Sequence, residues 1–506
     1  MSWSNLCDNR SLVEHTMQRA LAARTRIANW CSRLCPLSFV TAIAWFAVTG
    51  CGGEDALTSP ALHQAPTSTL APYHPPADGT DWPAFLGPTG DGKSSQTGIL
   101  LDWPANGPPV RWHVELGSGY GGAAVSDGRL FIFDRTGDEA RLRCLDSVTG
   151  SQQWQFTYPS DYRDLYGYDN GPRCCPVVDG DRVYLFDAAG ILHCVRASDG
   201  ERLWRTDTMQ QFGVVQNFFG VSSAPVVEGD LLIVQIGGSP PESKQAPPRQ
   251  LDRVSGNGSG IVAFHKRTGK VHYQITDELA SYTSPCLATI DGRRWCFVLA
   301  RGGLVGFEPA SGRVDFQLPW RAKPLESVNA SSPVVVGDEV FISEAYGPGS
   351  ALLRIRPGGY DFVWRDDPRR RQKAMQTHWN TAIHYAGYLY GSSGRYANNA
   401  LLKCIDWKTG QEQWSVPGLA RCSLLYVEGH FICLSETGAL LLFRANAKKF
   451  DLLSQVVPSE IDSSGNQRPL LKQPAWAAPV LAQGLLYVRG ADRLICLDLT
   501  RPPQAQ

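Results

Sequence analysis

Apolar and polar residues alternate in short runs along most of the chain. "DRVYLF" (Asp181 to Phe186) and "ILHCVR" (Ile191 to Arg196) are two of them. A period of two marks a β-strand with one buried face. A longer unit repeats over these runs: a small residue, Pro-Val-Val, a turn with Gly, an alternating apolar strand, a further strand, Asp-x-x-Thr-Gly and then Trp. Copies read "CPVVDGDRVYLF" with "ILHCVRASDGERLW", and "APVVEGDLLIV" with "IVAFHKRTGKVHY". Others are "SPVVVGDEVFIS" and "LLKCIDWKTGQEQW".

The turn glycines are Gly128, Gly180, Gly229, Gly292, Gly337, Gly387, Gly429 and Gly484, about fifty residues apart. Glycine lets such a turn take positive φ without a Cβ clash. Eight copies of about four short strands predict an all-β fold. The expected architecture is an eight-bladed β-propeller of four-stranded antiparallel blades. The last copy lacks its final strand and Trp, while a spare strand, "PVRWHVEL" (Pro109 to Leu116), precedes the first. This N-terminal strand is expected to complete the last blade and close the ring. Trp112, Trp154, Trp204, Trp364 and Trp414 then share one position between blades, with Tyr273 and Phe316 in the same slot. The insertion from Gly238 to Ser259, rich in Pro, Ser and Gly, reads as a surface loop.

A chain of 506 residues exceeds the ~100–200 of an ordinary single core, and a repeat fold accounts for that length. The 48 Lys+Arg balance 48 Asp+Glu, which excludes a polycationic clamp for nucleic acid.

The N-terminus departs from the repeat. Arg24, Arg26 and Arg33 precede an apolar run from Pro36 to Gly50, shorter than the ~20 residues of a membrane span. It reads as a signal-peptide core. Cys51 follows, and "VTGC" resembles a bacterial lipoprotein box, which implies cleavage and lipidation at Cys51. The expected organisation is a lipoprotein-type signal over 1–50, a flexible tether over 51–80, the propeller over 81–500 and a tail over 501–506.

The "L-x-C/A-L-D-x-x-T-G-x-x-x-W" copies resemble PQQ-type propeller repeats. So do the opening "DWPAFLGPTGDGKSSQTGILLDWPANGPPVRWHVEL", "GPRCCPVVDGDRVY" and "QPAWAAPVLAQGLLYVRGADRLICLDL". They look like PQQ-binding-like propellers of the BamB-like, planctomycete type, related to quinoprotein alcohol dehydrogenases. The resemblance runs from about Asp81 to Leu499. It bears on fold, because fold alone does not carry function.

Of fourteen cysteines, Cys7, Cys31 and Cys35 precede the lipidation site. Cys144, Cys194, Cys404 and Cys496 fill one repeat slot. Equivalent positions in stacked sheets lie about 10 Å apart, beyond the ~7 Å Cα reach of a disulfide. They are expected to be packing residues. Cys174 and Cys175 occupy a slot that is small or hydroxylic in sister copies. In quinoprotein alcohol dehydrogenases a vicinal pair at such a strand start roofs the PQQ face. Three readings stand: a cofactor roof, a non-catalytic vicinal disulfide, or packing.

In a propeller, residues just before the first strands line one mouth of the channel. Here these are Tyr120, Arg173, Asn217, Tyr282, Asn329, Trp379, Arg421 and Trp476. Carboxylates are scarce, Asp169 and Glu326 being the nearest, so a Ca²⁺ cage with a separate base does not assemble. His378 and His384 lack the further ligands of a metal site. The first expectation is therefore a non-enzymatic scaffold without metal or catalytic residues. It is expected to be exported, lipid-anchored and monomeric, and to present its loops to an envelope protein partner, resembling the BamB role. The alternatives are a dehydrogenase of alcohols or sugars using PQQ with Ca²⁺, and a propeller binding a small ligand or polysaccharide.

Overall fold

The structure, a computed structural model, describes residues 72–501 apart from Ser222, Pro248 and Arg249. The signal segment, Cys51 and the tail after Arg501 lie outside the described residues. Eight antiparallel blades of four strands follow one another; seven are built in chain order from the inner strand outwards, and the eighth takes its outer strand from the N-terminal side. The first blade holds Ala124–Ser126, Arg129–Thr136, Glu139–Asp146 and Gln152–Pro159. Among the described residues no helix is long and apolar enough to cross a membrane.

All eight turn glycines have positive φ. Five follow a residue that is itself left-handed, as in Asp127–Gly128 (φ 52° and 70°), which is the sign pattern of a type I′ turn. Gly180, Gly229 and Gly337 instead take the first central position, as in type II′. Both kinds suit the right-handed twist of paired strands, so the pattern was conserved in chemistry though not in register.

The ring closes as expected. Strand Val110–Glu115 pairs antiparallel with Arg493–Asp498 and completes the eighth blade. The blade tryptophans act between sheets. Trp112 Nε1 donates to Ser147 O at 3.2 Å, Trp204 to Lys266 O at 3.0 Å and Trp364 to Trp407 O at 2.8 Å. Tyr273 does the same through its hydroxyl to Pro309 O. These rings lie on a glycine turn of the next blade, Gly150, Gly269, Gly410 and Gly312 in turn. A Cβ on Gly150 would sit 2.6 Å from the Trp112 ring, so the motif glycine is a seat for the neighbour's aromatic. Cys144, Cys194, Cys404 and Cys496 are buried free thiols directly across the strand pair from Trp154, Trp204, Trp414 and Trp112. They fill the small space beneath the ring. The apolar clusters lie between adjacent blades, for example Phe131 and Leu142 of the first against Val183 and Leu185 of the second.

Three features go beyond the repeat. The seventh sheet has a fifth strand, Lys93–Ser94, parallel to Cys422–Val427. The chain leading to it blocks the channel. Trp82 exchanges backbone bonds with Val125 of the first blade, and Val178 of the second donates to Pro83 O. A turn at Leu86 (φ 61°) and Gly87 then returns the chain toward the seventh blade. The insertion is no simple surface loop: it forms short 3₁₀ turns, and its Leu251 and Val254 are buried with Phe218 and Val328. Residues 72–80, read from the sequence as the end of the tether, lie on the last blade, with Tyr73 Oη donating to Gln483 O at 2.7 Å.

Candidate functional site

A strand that runs down the channel wall leaves its preceding residue at one rim. The loop between the second and third strands of a blade returns to the same rim. These two loop sets enclose a cavity of about 500 Å³. Trp82, Ala84, Phe85 and Leu86 of the channel plug contribute its inner wall, and the opposite end is the open mouth.

Six of the eight expected mouth residues line it: Tyr120, Arg173, Tyr282, Trp379, Arg421 and Trp476. Asn217 and Asn329 do not, and this corrects the sequence reading. Both are buried. Asn217 Nδ2 donates to Ala280 O, and Asn329 Nδ2 donates to Ala300 O and Trp320 O. Loop carbonyls left without partners take up the amides, because unpaired buried carbonyls are costly. Asn217 turns inward and Phe219, two residues on, turns into the cavity. Tyr166, Tyr168, Tyr346, His378, Arg395 and Tyr396 complete the wall and were not foreseen as mouth residues.

The rings form a nearly continuous belt. Tyr120 and Trp476 lie 4.6 Å apart between centroids, Trp379 and Trp476 5.9 Å, and Phe219 and Tyr282 5.6 Å. Phe219 also meets Tyr166 and Tyr168 at 5.7 and 5.8 Å. Tyr168 is 63% exposed and Tyr396 54% exposed, so the belt ends in an open aromatic rim.

Three guanidiniums share this wall, with different freedom. Arg173 donates to the buried Asp164 carboxylate at 2.6 Å and to the carbonyls of Gly171 and Asp169. Arg421 grips Glu436 through Nε and Nη2, the latter at 2.7 Å, and Trp476 Nε1 adds a bond at 2.8 Å. Burial alone would raise the Glu436 pKa, but the Arg421 and Trp476 bonds outweigh it and hold the carboxyl below its ordinary range. Arg395 has no carboxylate within ion-pair distance among the described residues. It lies over the Tyr346 and Tyr396 rings, 4.3 and 5.1 Å from their centroids.

Cys174 and Cys175 stand on the wall of this cavity, both buried and both free thiols. The Cys174 Sγ donates to Cys175 O at 2.9 Å. The slot explains their size. In the next blades the residue before the first-strand Pro or Ala is Ala224, Ser284, Ser332 or Thr381. The N–H groups of Ala224, Ser284 and Ser332 each donate to the hydroxyl of the following blade, as Ser284 N does to Ser332 Oγ at 3.0 Å. A cysteine fits where this hydroxyl chain ends. Burial pushes the Cys174 thiol up to about 12 and the Cys175 thiol well above its ordinary value, which keeps both protonated at neutral pH.

The remaining ionisable groups are equally quiet. His378 Nε2 shares a 3.0 Å hydrogen bond with Tyr346 Oη, and burial drives its pKa down to about 3, leaving it neutral. Glu326 is the single carboxylate in the lining, and it lies exposed at the rim. Among the described residues no three His, Cys, Asp or Glu gather to hold a metal. His378 faces the cavity while His384 meets Trp407 edge-on, at 4.8 Å between centroids.

Glu344 sits behind the wall, 1% exposed, with its oxygens accepting the N–H groups of Tyr346 and Gly347. Burial raises its pKa from 4.5 to about 7, against those two bonds and the Arg395 charge. An acid whose folded pKa lies above its unfolded one stabilises the fold below the unfolded pKa and loses that contribution as pH rises through the folded one. The Glu344→Gln variant should therefore gain on the wild type by about 2–3 kcal/mol between pH 4.5 and pH 8. Urea midpoints at both pH values measure it. A gap that does not change with pH contradicts the assignment.

A quinone such as PQQ would meet aromatic faces and a cysteine pair here. The rest does not fit. Two of the three guanidiniums are spent on internal carboxylates, one exposed carboxylate cannot form a Ca²⁺ cage, and no base faces the cavity. What the fold and cavity define is a propeller with a blind, aromatic-walled cup at one mouth. The family described as outer membrane protein assembly factor BamB matches over residues 103–239 and 138–416, and the chain belongs to it. Two solved structures share the fold. BamB from Moraxella catarrhalis is 13% identical with a TM-score of 0.51, covering 78% of this chain and 99% of that one. The quinohemoprotein alcohol dehydrogenase from Comamonas testosteroni is 12% identical with a TM-score of 0.55, covering 85% and 82%. At such identity the likeness is one of fold. No curated protein matches the sequence.

Proposed function

We propose that this chain is a non-enzymatic binding module of the cell envelope, similar in role to BamB. A lipid on Cys51 holds it to a membrane, and the aromatic mouth engages an envelope protein. One observation carries the reading: a large cup walled by rings, with two of its three guanidiniums neutralised internally and no carboxylate in the lining besides the exposed Glu326. Exposed Tyr beside Arg is the composition of binding hot spots. The family description supports a place among envelope proteins. The "VTGC" sequence supports the anchor. The dehydrogenase alternative draws on the cysteine pair and on a shared fold, and lacks a cage and a base.

A photo-crosslinking residue at Tyr168 in the full chain, in its native envelope, should capture a discrete protein partner. The same residue at Gln155, on the exposed outer strand of the first blade, should not. Equal labelling at both positions contradicts the proposal. So does oxidation of alcohols or sugars by the purified protein that depends on added PQQ and Ca²⁺.

A further inference from the structure

The wall of the cup says what chemistry it takes, on the reading that the mouth binds rather than catalyses. We infer that the mouth is a site for an aromatic monocarboxylate, with Arg395 as the group that receives the carboxylate.

The count of available charge comes first. Arg173 and Arg421 already hold Asp164 and Glu436 at 2.6 and 2.7 Å. Arg395 alone among the lining cations has no carboxylate partner. Its backbone is tied to the wall, and its guanidinium rests on rings. Arg421 Nη1 donates to the Arg395 backbone carbonyl at 3.1 Å, and two tyrosine rings support the guanidinium. A planar guanidinium resting on rings in this way offers a two-pronged hydrogen bond to a carboxylate. Glu344 does not compete, since its oxygens are taken by backbone N–H groups and stand beyond ion-pair distance of Arg395.

One cation accommodates one anion. A ligand with several carboxylates would set the others against Glu326 at the rim or against apolar wall. The body of the ligand follows from that wall. Beyond the aromatic belt it consists of small apolar residues, among them Ala123, Ala224, Ala330, Ala477 and Val480. A sugar set against this apolar part would leave most of its hydroxyls without partners, which is unfavourable, although Trp379 Nε1 and His378 Nδ1 elsewhere in the lining have none of their own. A flat aromatic ring finds stacking surface instead. The cup, at about 500 Å³, lies in the size range of small-molecule sites, ~300–1,000 Å³.

The experiment is a calorimetric titration of the full chain with 2-naphthoate, its neutral amide 2-naphthamide, glucuronate and PQQ. Naphthoate should bind about 10–100-fold more tightly than naphthamide, the range of one charged hydrogen-bonding pair. Glucuronate and PQQ should bind more weakly than naphthoate. Arg395→Gln should bring naphthoate down to the naphthamide level, leave naphthamide unchanged and leave the melting temperature unchanged. Equal binding of naphthoate and naphthamide overturns the proposal, as does equal weakening of both by the variant. Tighter binding of glucuronate or PQQ overturns it too. If none of the probes binds, the ligand class is wrong. The Tyr168 crosslink reports separately on whether the mouth is a binding face at all.

Discussion

Removing one aromatic ring at the seam should loosen the whole propeller: Trp112→Ala is expected to cost about 3–5 kcal/mol, the range for a large buried aromatic. Trp112 is 6% exposed and lies on Gly150, with Tyr487 at 5.9 Å on its other side. Its indole N–H also satisfies Ser147 O, which the variant leaves without that donor. The strand that carries it holds the eighth blade together with chain from the other end of the sequence. Loss of its anchor should therefore expose a sheet edge as well as a cavity. Chemical denaturation of the mature chain gives the measurement. A midpoint equal to the wild type would show that the closing strand does not depend on its tryptophan.

The second large effect is expected at Asp134, on the first-blade strand facing that seam. Its carboxylate is fully buried and accepts from Arg141 Nε and Nη2 at 2.9 and 2.8 Å, from Arg143 at 3.1 Å and from Gly117 N at 2.8 Å. Arg143 also donates to Glu115 O, so the cluster fastens the end of the closing strand to the first blade. Burial by itself would raise the Asp134 pKa. The Arg141 bonds and the two nearby guanidinium charges outweigh it and hold the carboxyl below its ordinary range. Asp134→Asn leaves buried cations without a counter-charge, and breaking such an arrangement costs about 3–5 kcal/mol. Because the folded pKa is depressed, this stability is present above the unfolded carboxylate range and fades as pH falls through the folded pKa. The gap between variant and wild type should be full at neutral pH and shrink in strong acid. A loss below about 1 kcal/mol at pH 7 would place the cluster among interactions of little consequence.

Much of the fold was legible because the repeat states it in residues with one job each. Gly128 and its seven equivalents announce left-handed turns, and Trp112 with its sisters announces the contact between blades. Trp364 and Trp414 could be placed in the same slot without coordinates. The mouth was legible only in part. Position before a first strand was enough to find Tyr120, Arg173, Tyr282, Trp379, Arg421 and Trp476. It could not separate them from Asn217 and Asn329, whose orientation depends on the carbonyls of Ala280 and Ala300. Tyr168, Arg395 and Tyr396 sit in loops of no fixed length, and the repeat places no constraint on their path. The Asp134 cluster needs the register of Arg129–Thr136 against Glu139–Asp146, which hydrophobic alternation leaves open. The channel plug depends on Leu86 at φ 61°, a conformation its side chain does not advertise.

Both ends of the described chain leave the propeller beside the Gln483–Gly484 turn. Tyr73 bonds to Gln483 O, and Thr500 bridges Ile99 and packs on Gly484. That turn belongs to the glycine side of the ring, opposite the cup. A load applied at Tyr73 would thus be received on the underside and shared with the last blade, through the Tyr73 hydroxyl and the bond from Gln483 N to Thr80 O. None of it crosses the rings of the opening. The bowl is gripped at its base.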